Sequence, residues 1–249
     1  MALISKKFFL RRTKMLEFLA ELEKTPDPAA RTVYLPPGLP ASEIGKLLGI
    51  APFVKSLPED IAQIAGCSRT GAVLFWSEAR KCLVLPPFPI KEILIFDGYV
   101  ADPLRLLLQS DFKIGLILVH LGSYAVGLCQ GEKLITSKVG TGLVHGRHRQ
   151  GGSSQRRFQR RREKQAQEFL DRVCLHARVR LEPEAKLLDY VIYGGPRQTV
   201  LLLQKSCPFL GQFEGRALPP LEVPALRQKV LETTVVRIWS SGIIEWQEG

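Results

Sequence analysis

The residues best suited to chemistry lie between His145 and Lys164, where a flexible turn meets a dense run of positive charge. The turn, Gly151-Gly152-Ser153-Ser154, is followed directly by Gln155. Glycine permits close approach and positive φ. A glutamine amide can orient water and form hydrogen bonds, but it cannot act as a general base at neutral pH. The pattern therefore predicts a glutamine presented at a glycine turn, at the beginning of a helix.

Positive charge surrounds this glutamine. The stretch contains eight lysines and arginines and a single acid, Glu163, and it supplies +7 of the formal charge of +11 carried by the 249-residue chain. Basicity concentrated in one place predicts a specific polyanionic partner, here RNA, and strongly salt-dependent binding. The residues predicted to bind RNA are Arg147, His148, Arg149, Arg156, Arg157, Arg160, Arg161, Arg162 and Lys164. Without other evidence, a solvated tail or a nonspecific RNA-binding helix would explain the same charges.

A long helix is expected to position the glutamine. It begins near Ser154 and ends near Arg178, and its two halves differ in composition. The second half has apolar residues spaced to bury one face, namely Phe169, Leu170, Val173, Cys174 and Ala177. The first half offers Phe158 and Ala166 alone, so we expect it to project. At ~1.5 Å per residue, residues 154–167 would extend about 20 Å.

The rest of the chain mixes strands and helices, which predicts a layered α/β fold. The run Pro86-Pro87-Phe88-Pro89 cannot continue a sheet. It therefore predicts a boundary between a small α+β N-terminal domain, residues 1–88, and a catalytic domain, residues 89–249, that carries the basic loop and helix. A helix is expected over residues 8–23.

In the second domain, Ile93–Phe96 reads as a buried opening strand, and three more strands are expected between residues 114 and 137. Lys138–Gly142 lacks the spacing of a nucleotide-binding loop and is interpreted as a hinge. A final strand is expected at Val235–Trp239.

Cysteine usage and hydropathy favour a reduced, cytoplasmic protein. The five cysteines are far apart and form no C-x-x-C pair, which argues against a zinc ribbon and a disulfide framework. The most apolar region, residues 114–129, is too short to span a bilayer, so no membrane partner is expected. No acid or cysteine accompanies His145 and His148 at ligand spacing. We therefore expect no metal and no cofactor, and His120 is interpreted as a core histidine.

The basic stretch resembles a known motif. The catalytic domain of eukaryotic and archaeal class I termination factors carries H-x-R-G-G-Q-S-A-x-R-F-x-R-x-R, and His148–Arg162 follows it with one departure. Ser153 occupies the glutamine position, and Gln155 comes two places later. This G-x-x-Q form is similar to the Vms-like release factor family, peptidyl-tRNA hydrolases related to that catalytic middle domain. The likeness extends, by order of patterns, to Thr32–Gly38 and Ile93–Leu108 and covers most of the chain.

The resemblance implies a fold, a site and partners. The second domain should have the RNase H-like layered mixed sheet of the release-factor middle domain. Gln155 would orient water for ester hydrolysis of peptidyl-tRNA, with Gly151, Gly152, Ser153 and Ser154 forming the catalytic loop. The partners would be peptidyl-tRNA and the peptidyl-transferase centre of stalled large ribosomal subunits. No third domain follows, so no docking region for a translational GTPase is expected, and we expect a monomer.

Other functions remain open. Members of the same family are associated with cleavage near the tRNA 3′ end, which would release the peptide with terminal nucleotides attached. A non-catalytic module that binds ribosomes or tRNA would need the same charges. A free-RNA nuclease is disfavoured because no acidic metal cluster is evident. A hydrolase triad built on Asp97 and His120 is disfavoured because no G-x-S-x-G elbow is present.

Overall fold

The computed structural model describes residues 2–24, 27–50, 57–144, 154–223 and 226–248, with the backbone alone for residues 2–5, 48–50, 154–156 and 248. The chain divides into two compact units. The first comprises Met1–Ser110 and Val236–Gly249, and the second comprises Asp111–Val235. No helix among the described residues is both long enough and apolar enough to cross a membrane. The architecture is mixed α/β with two sheets.

The first unit is built on a six-stranded sheet in the order β1-β10-β4-β3-β2-β5, in which every pair is antiparallel. Its strands are β1 (Ala2–Leu10), β2 (Arg31–Leu35), β3 (Ala72–Trp76), β4 (Lys81–Leu85), β5 (Leu94–Asp97) and β10 (Ser241–Glu248). Its helices are α1 (Arg12–Glu23), α2 (Ala41–Ile50), α3 (Glu59–Cys67) and α4 (Asp102–Gln109).

Both faces of this sheet are buried. Side chains alternate across a strand, so Phe75 of β3 packs on one side with Met15 of α1, while Leu74 packs on the other side with Ile61 of α3. Burial on both faces explains why β3 is apolar at every position, Ala72–Trp76. The predicted hairpin of β3 and β4 is confirmed.

The units do not follow the boundary predicted between residues 88 and 89. Leu94–Asp97 pairs with β2, and α4 packs in the core of the first unit. Both elements therefore belong to the first unit and not to the second. The expectation of a buried strand there was also wrong. β5 is an edge strand whose side chains are alternately half-buried and exposed, and Ile95 is 48% exposed.

Two terminal elements also differ from expectation. Phe8 and Phe9 belong to strand β1 and not to a helix, because residues 2–10 pair with β10 at the far end of the chain. Val235–Trp239 is not a strand. Leu231, Val235, Ile238 and Trp239 are all buried at helical spacing, in α7 (Gln228–Ile238) and the residue that follows it.

The second unit contains a four-stranded sheet in the order β8-β7-β6-β9. Its strands are β6 (Lys113–His120), β7 (Ser123–Gln130), β8 (Lys133–Thr141) and β9 (Tyr190–Gly194). The first three form an antiparallel meander, whereas β9 runs parallel to β6. A parallel neighbour requires a long crossover, and that crossover includes the predicted long helix, α5 (Ser154–Leu181). Helix α6 (Arg197–Ser206) and a 3₁₀ segment at Pro208–Arg216 follow β9.

Helix α5 lies on this sheet through its C-terminal half. Phe169, Val173 and Ala177 enter one core with Tyr124 and Val126 of β7. The interpretation of Lys138–Gly142 as a hinge was wrong, because Lys138 to Thr141 continue β8 and pair with β7. Their role is to complete the sheet edge that precedes the basic segment.

A disulfide joins α5 to the end of α6, between Cys174 and Cys207. The expectation of reduced cysteines was therefore wrong for this pair. Thirty-three positions separate the two cysteines in sequence, and only the packing of α6 against α5 brings them together. Cys67, Cys82 and Cys129 are free thiols.

Candidate nucleic-acid interface

The two halves of α5 differ in burial, as their compositions predict. Phe169, Leu170, Val173, Ala177 and Leu181 are buried, whereas none of residues 157–168 is. A 28-residue helix is about 42 Å long, so a substantial part of α5 has no core to cover it. The core contacts from Phe169 onward hold the C-terminal half and so determine where the basic half lies.

The cations of the first half are accessible. Arg157, Arg160 and Arg161 are exposed, and Arg162 is half-buried. The acids nearby already have partners: Gln159 Nε2 donates to Glu163 Oε1 at 2.9 Å. Lys164 Nζ lies 3.9 Å from Glu168 Oε1, which is too long for a strong contact. This part of α5 therefore presents concentrated positive charge, the property required for phosphate binding.

The helix begins at Ser154, so Gln155 and Arg156 belong to its first turn. The first N–H groups of a helix have no acceptor within it, and the helix dipole favours an anion there. Gly151, Gly152 and Ser153 lie outside the described residues, as do Arg147, His148 and Arg149. Their predicted roles, and those of the Ser154, Gln155 and Arg156 side chains, stay predictions.

The described chain that precedes residues 145–153 is attached to the body of the second unit. On the N-terminal side, Gly142 N–H donates to Gly122 O at 2.9 Å. A Cβ atom at Gly142 would lie 2.6 Å from Phe169 Cδ2, too close for any larger residue without a shift. Gly142 and Phe169 thus pack together where the projecting half of α5 meets the core. The described chain that leads toward the predicted loop, up to residue 144, is therefore held beside the first buried turn of α5.

A second set of basic side chains was missed by sequence reasoning. Arg172, His176 and Arg180 recur every four residues along α5, and residues at that spacing share one side of a helix. His176 stacks on Tyr124 of β7, with ring centroids 5.5 Å apart. Burial lowers the pKa of His176, and the charges of Arg180, Lys138 and Arg172 lower it further. The four-residue spacing was visible in the sequence, but the proximity of Lys138 was not.

Other reactive side chains in the described residues have structural surroundings. His120 Nε2 lies 2.9 Å from Val223 O, so the histidine has a hydrogen-bond partner as expected, but it is half-buried and not in the core. Burial raises the pKa of the Cys82 thiol to about 12, and that of Cys129 to about 12, so neither is a thiolate nucleophile at neutral pH. Among the described residues, no group of three or more His, Cys, Asp or Glu side chains could hold a metal ion.

This chain matches a family model of release factors and is similar to known release factors. A family model described as "Actinobacteria/chloroflexi VLRF1 release factor" matches residues 113–243. The chain is 27% identical over 222 residues to peptide chain release factor subunit 1 of Aeropyrum pernix, which covers 78% of this chain and 60% of that protein. It is also 34% identical over 127 residues to the same factor of Thermococcus sibiricus. That match covers 49% of this chain and 31% of the Thermococcus protein. The chain thus spans less than two thirds of either relative.

Solved structures with similarity include "Crystal structure of archaeal translation termination factor, aRF1". The match has a TM-score of 0.37 at 21% identity and covers 92% of this chain and 73% of that one. Pelota from Archaeoglobus fulgidus matches with a TM-score of 0.29 at 11% identity, over 94% of this chain and 68% of that one.

Proposed function

Because the chain belongs to the VLRF1 release factor family of Actinobacteria and Chloroflexi, we propose that it is a peptidyl-tRNA hydrolase that acts on the large ribosomal subunit. It releases nascent chains from tRNA on stalled large subunits in the cytoplasm, in ribosome rescue or quality control. One observation carries the proposal: the first turn of α5 contains Gln155, and residues 157–168, which bury no side chain, follow it with exposed arginines.

The reaction requires little chemistry from the protein. Peptidyl-tRNA holds the peptide through an ester to the terminal ribose, and hydrolysis needs a placed water and a donor to the developing oxyanion. The Gln155 amide orients the water or supports the transition state, alone or with its backbone N–H. The peptidyl-transferase centre and the substrate's ribose hydroxyl supply the rest.

The neighbouring residues position this amide in RNA. Gly151 and Gly152 give the loop the freedom to approach RNA closely. Ser153 or Ser154 caps the helix, so that its first N–H groups face phosphate. His148 contacts the RNA, and the cations at Arg147, Arg149 and Arg156 act with the exposed arginines of α5 to neutralise phosphates. Support comes from the start of α5 at Ser154, directly after the predicted loop.

We also propose that the second unit has the RNase H-like layering of the release-factor middle domain. Three antiparallel strands, with β9 added parallel beside β6, support this assignment. So does the position of α5 between β8 and β9 in the chain, with its apolar face in the core of β6 and β7.

The test is release of nascent chains from purified stalled large subunits by the wild-type chain and two single variants. Gln155→Ala should lower the release rate about 10²–10³-fold, the effect typical of losing one transition-state hydrogen-bond donor. Gln159→Ala is the matched control, because its exposed amide bonds to Glu163 on the same helix. Its release should stay within a few-fold of wild type. Equal release by Gln155→Ala and wild type would refute the role of Gln155.

The tRNA recovered after release identifies the bond that is cut. Ester hydrolysis leaves an intact CCA end, whereas cleavage of the RNA leaves shortened ends that sequencing detects. Binding to large subunits without any release, by wild type as well as Gln155→Ala, would show a non-catalytic module instead.

A further inference from the structure

A second cationic surface lies on the body of the second unit, beyond the stretch predicted to bind RNA. We define it as the body cluster: Lys138 of β8 together with Arg172, His176 and Arg180 of α5. Lys138 pairs in register with Val126, and Gly140 pairs with Tyr124, so both face the same side of the sheet as α5. The cluster therefore lines the space between the edge strand and one flank of the helix.

The cations of the body cluster converge on one ring. The imidazole of His176 is nearly parallel to the ring of Tyr124, at an interplanar angle of 17°. All three cations lower the pKa of this imidazole, after the effect of burial. Arg172 and Arg180 belong to α5 and Lys138 belongs to β8, so two elements contribute positive potential at the His176 ring.

Acids do not neutralise these charges within the described part of the chain. Two nearby carboxylates have other partners: Asp171 of α5 accepts from Gln167, and Glu182, directly after α5, pairs with Arg178. No ion pair among the described residues involves Lys138, Arg172 or Arg180.

One N–H group of Arg180 also lacks a hydrogen-bond acceptor. Its Nε–H is buried and has no partner in the described structure. Arg172 Nη1 donates to Thr141 O, but at 3.4 Å. A buried donor without an acceptor is unfavourable, so Arg180 has hydrogen-bonding capacity that the described protein does not use.

The body cluster extends the basic N-terminal half of α5 along the same side of the helix. Arg161, Gln165, Arg172 and His176 are separated by four, seven and four positions, which keeps them on one face of a helix. From Arg161 to His176 this face runs about 22 Å. A small anion would occupy one point of such a surface, whereas a phosphodiester chain can contact all of it.

We propose that the body cluster binds a second segment of RNA sugar-phosphate backbone, so that the protein holds RNA along the length of α5 and not at its tip alone. The inference deepens the proposed function and rests on it for the kind of RNA that is bound. The stack on Tyr124 fixes His176 in the middle of the surface, where it can lie against a phosphate between Arg172 and Arg180.

The experiment measures binding of fluorescent tRNA by anisotropy over a series of KCl concentrations. Lys138→Gln with Arg172→Gln removes two exposed cations of the body cluster. The control, Lys186→Gln with Lys205→Gln, removes two exposed cations from elsewhere in the same unit and changes net charge equally. The slope of log affinity against log salt should decrease by about two in the first variant, roughly one for each lost phosphate contact. It should not change in the control.

Several outcomes would overturn the inference. The inference fails if the Lys138→Gln, Arg172→Gln variant keeps the salt slope of wild type. It also fails if the control loses as much slope as this variant, because the effect would then come from net charge and not from the body cluster. Thermal unfolding of both variants verifies that they fold, as expected for exposed positions.

Nascent-chain release separates this inference from the proposed function. The body-cluster variant should need more protein for half-maximal release from stalled large subunits, while the maximal rate is retained. Suppose wild type releases no nascent chain but the salt slopes of wild type and the body-cluster variant still differ. The proposed function then fails and the RNA-binding surface stands. If wild type releases nascent chains and these two salt slopes are equal, the proposed function stands and the RNA-binding surface fails.

Discussion

The imidazole of His176 stacks on the phenol ring of Tyr124, joining α5 to β7 beside the edge strand of the second unit. Tyr124 is 2% exposed and also contacts Phe169 edge to face, with centroids 6.0 Å apart. Among the side chains of α5 that the structure describes, from residue 157 onward, Phe169 is the first that is buried. One buried tyrosine therefore contacts both the start of the anchored half of the helix and the middle of the body cluster.

The histidine in this stack should make stability depend on pH. Its folded-state pKa lies below the ordinary value of 6.5, through burial and the charges of Arg180, Lys138 and Arg172. As pH falls through about 6.5, the unfolded chain therefore takes up a proton before the folded chain does, and the folded state loses stability. The loss continues until pH reaches the folded pKa, and above 6.5 this contribution vanishes.

Urea unfolding between pH 8 and pH 5 measures this effect. His176→Asn should remove the histidine component, so that its free energy of unfolding falls less steeply than that of wild type below pH 6.5. Parallel curves for the two proteins would contradict the lowered pKa. Bound RNA should act in the opposite direction, because phosphate favours the imidazolium, and NMR titration of the His176 ring would show a raised pKa in the complex.

The glycine opposite Tyr124 should be intolerant of substitution. A Cβ atom at Gly140 would collide with the ring and hydroxyl of Tyr124, which is held between Phe169 and His176. Gly140→Ala should therefore cost about 1–3 kcal/mol, as overpacking typically does. Gly211→Ala is the control, because a Cβ atom there meets open space. Similar melting temperatures for the two variants would show that Tyr124 can move at little cost.

The sequence predicts local elements well and long-range pairing poorly. The strands from β6 to β8 and the long helix follow from periodicity, which neighbouring residues determine. By contrast, Phe8 and Phe9 fit helical and extended spacing equally, and only pairing with β10 makes their segment a strand. The same holds for β5, whose assignment to the first unit depends on its pairing with β2.

The candidate site divides in the same way. Charge density and the glycine turn identify the basic stretch because all of its residues are consecutive. The body cluster was missed because the charge of Lys138 comes near His176 only through the β7–β8 register and the packing of α5. Cys174 and Cys207 were missed as a pair for the same reason, since the approach of α6 to α5 is a tertiary contact.

The Cys174–Cys207 disulfide should stabilise the second unit. Closing a loop of this length typically contributes about 2–4 kcal/mol, and Cys207 is fully buried in the core. Addition of reductant, or Cys174→Ser, should therefore lower the melting temperature, whereas Cys67→Ser, at an exposed free thiol, should not. Thiol titration of the unfolded chain should give three free thiols before reduction and five after it. Five thiols without reductant would refute the bond.

The two halves of α5 should respond differently to loss of a phenylalanine. Phe169 is 2% exposed in the core, and truncation of such a side chain costs about 3–5 kcal/mol. Phe158 is 59% exposed among arginines, so Phe158→Ala should change stability by less than about 0.5 kcal/mol. An exposed aromatic ring in a cationic segment can stack on an unpaired base. Phe158→Ala should therefore weaken tRNA binding at unchanged melting temperature, whereas Phe169→Ala should lower the melting temperature. A stability loss in Phe158→Ala as large as that in Phe169→Ala would mean that the basic half is packed against the protein and does not project.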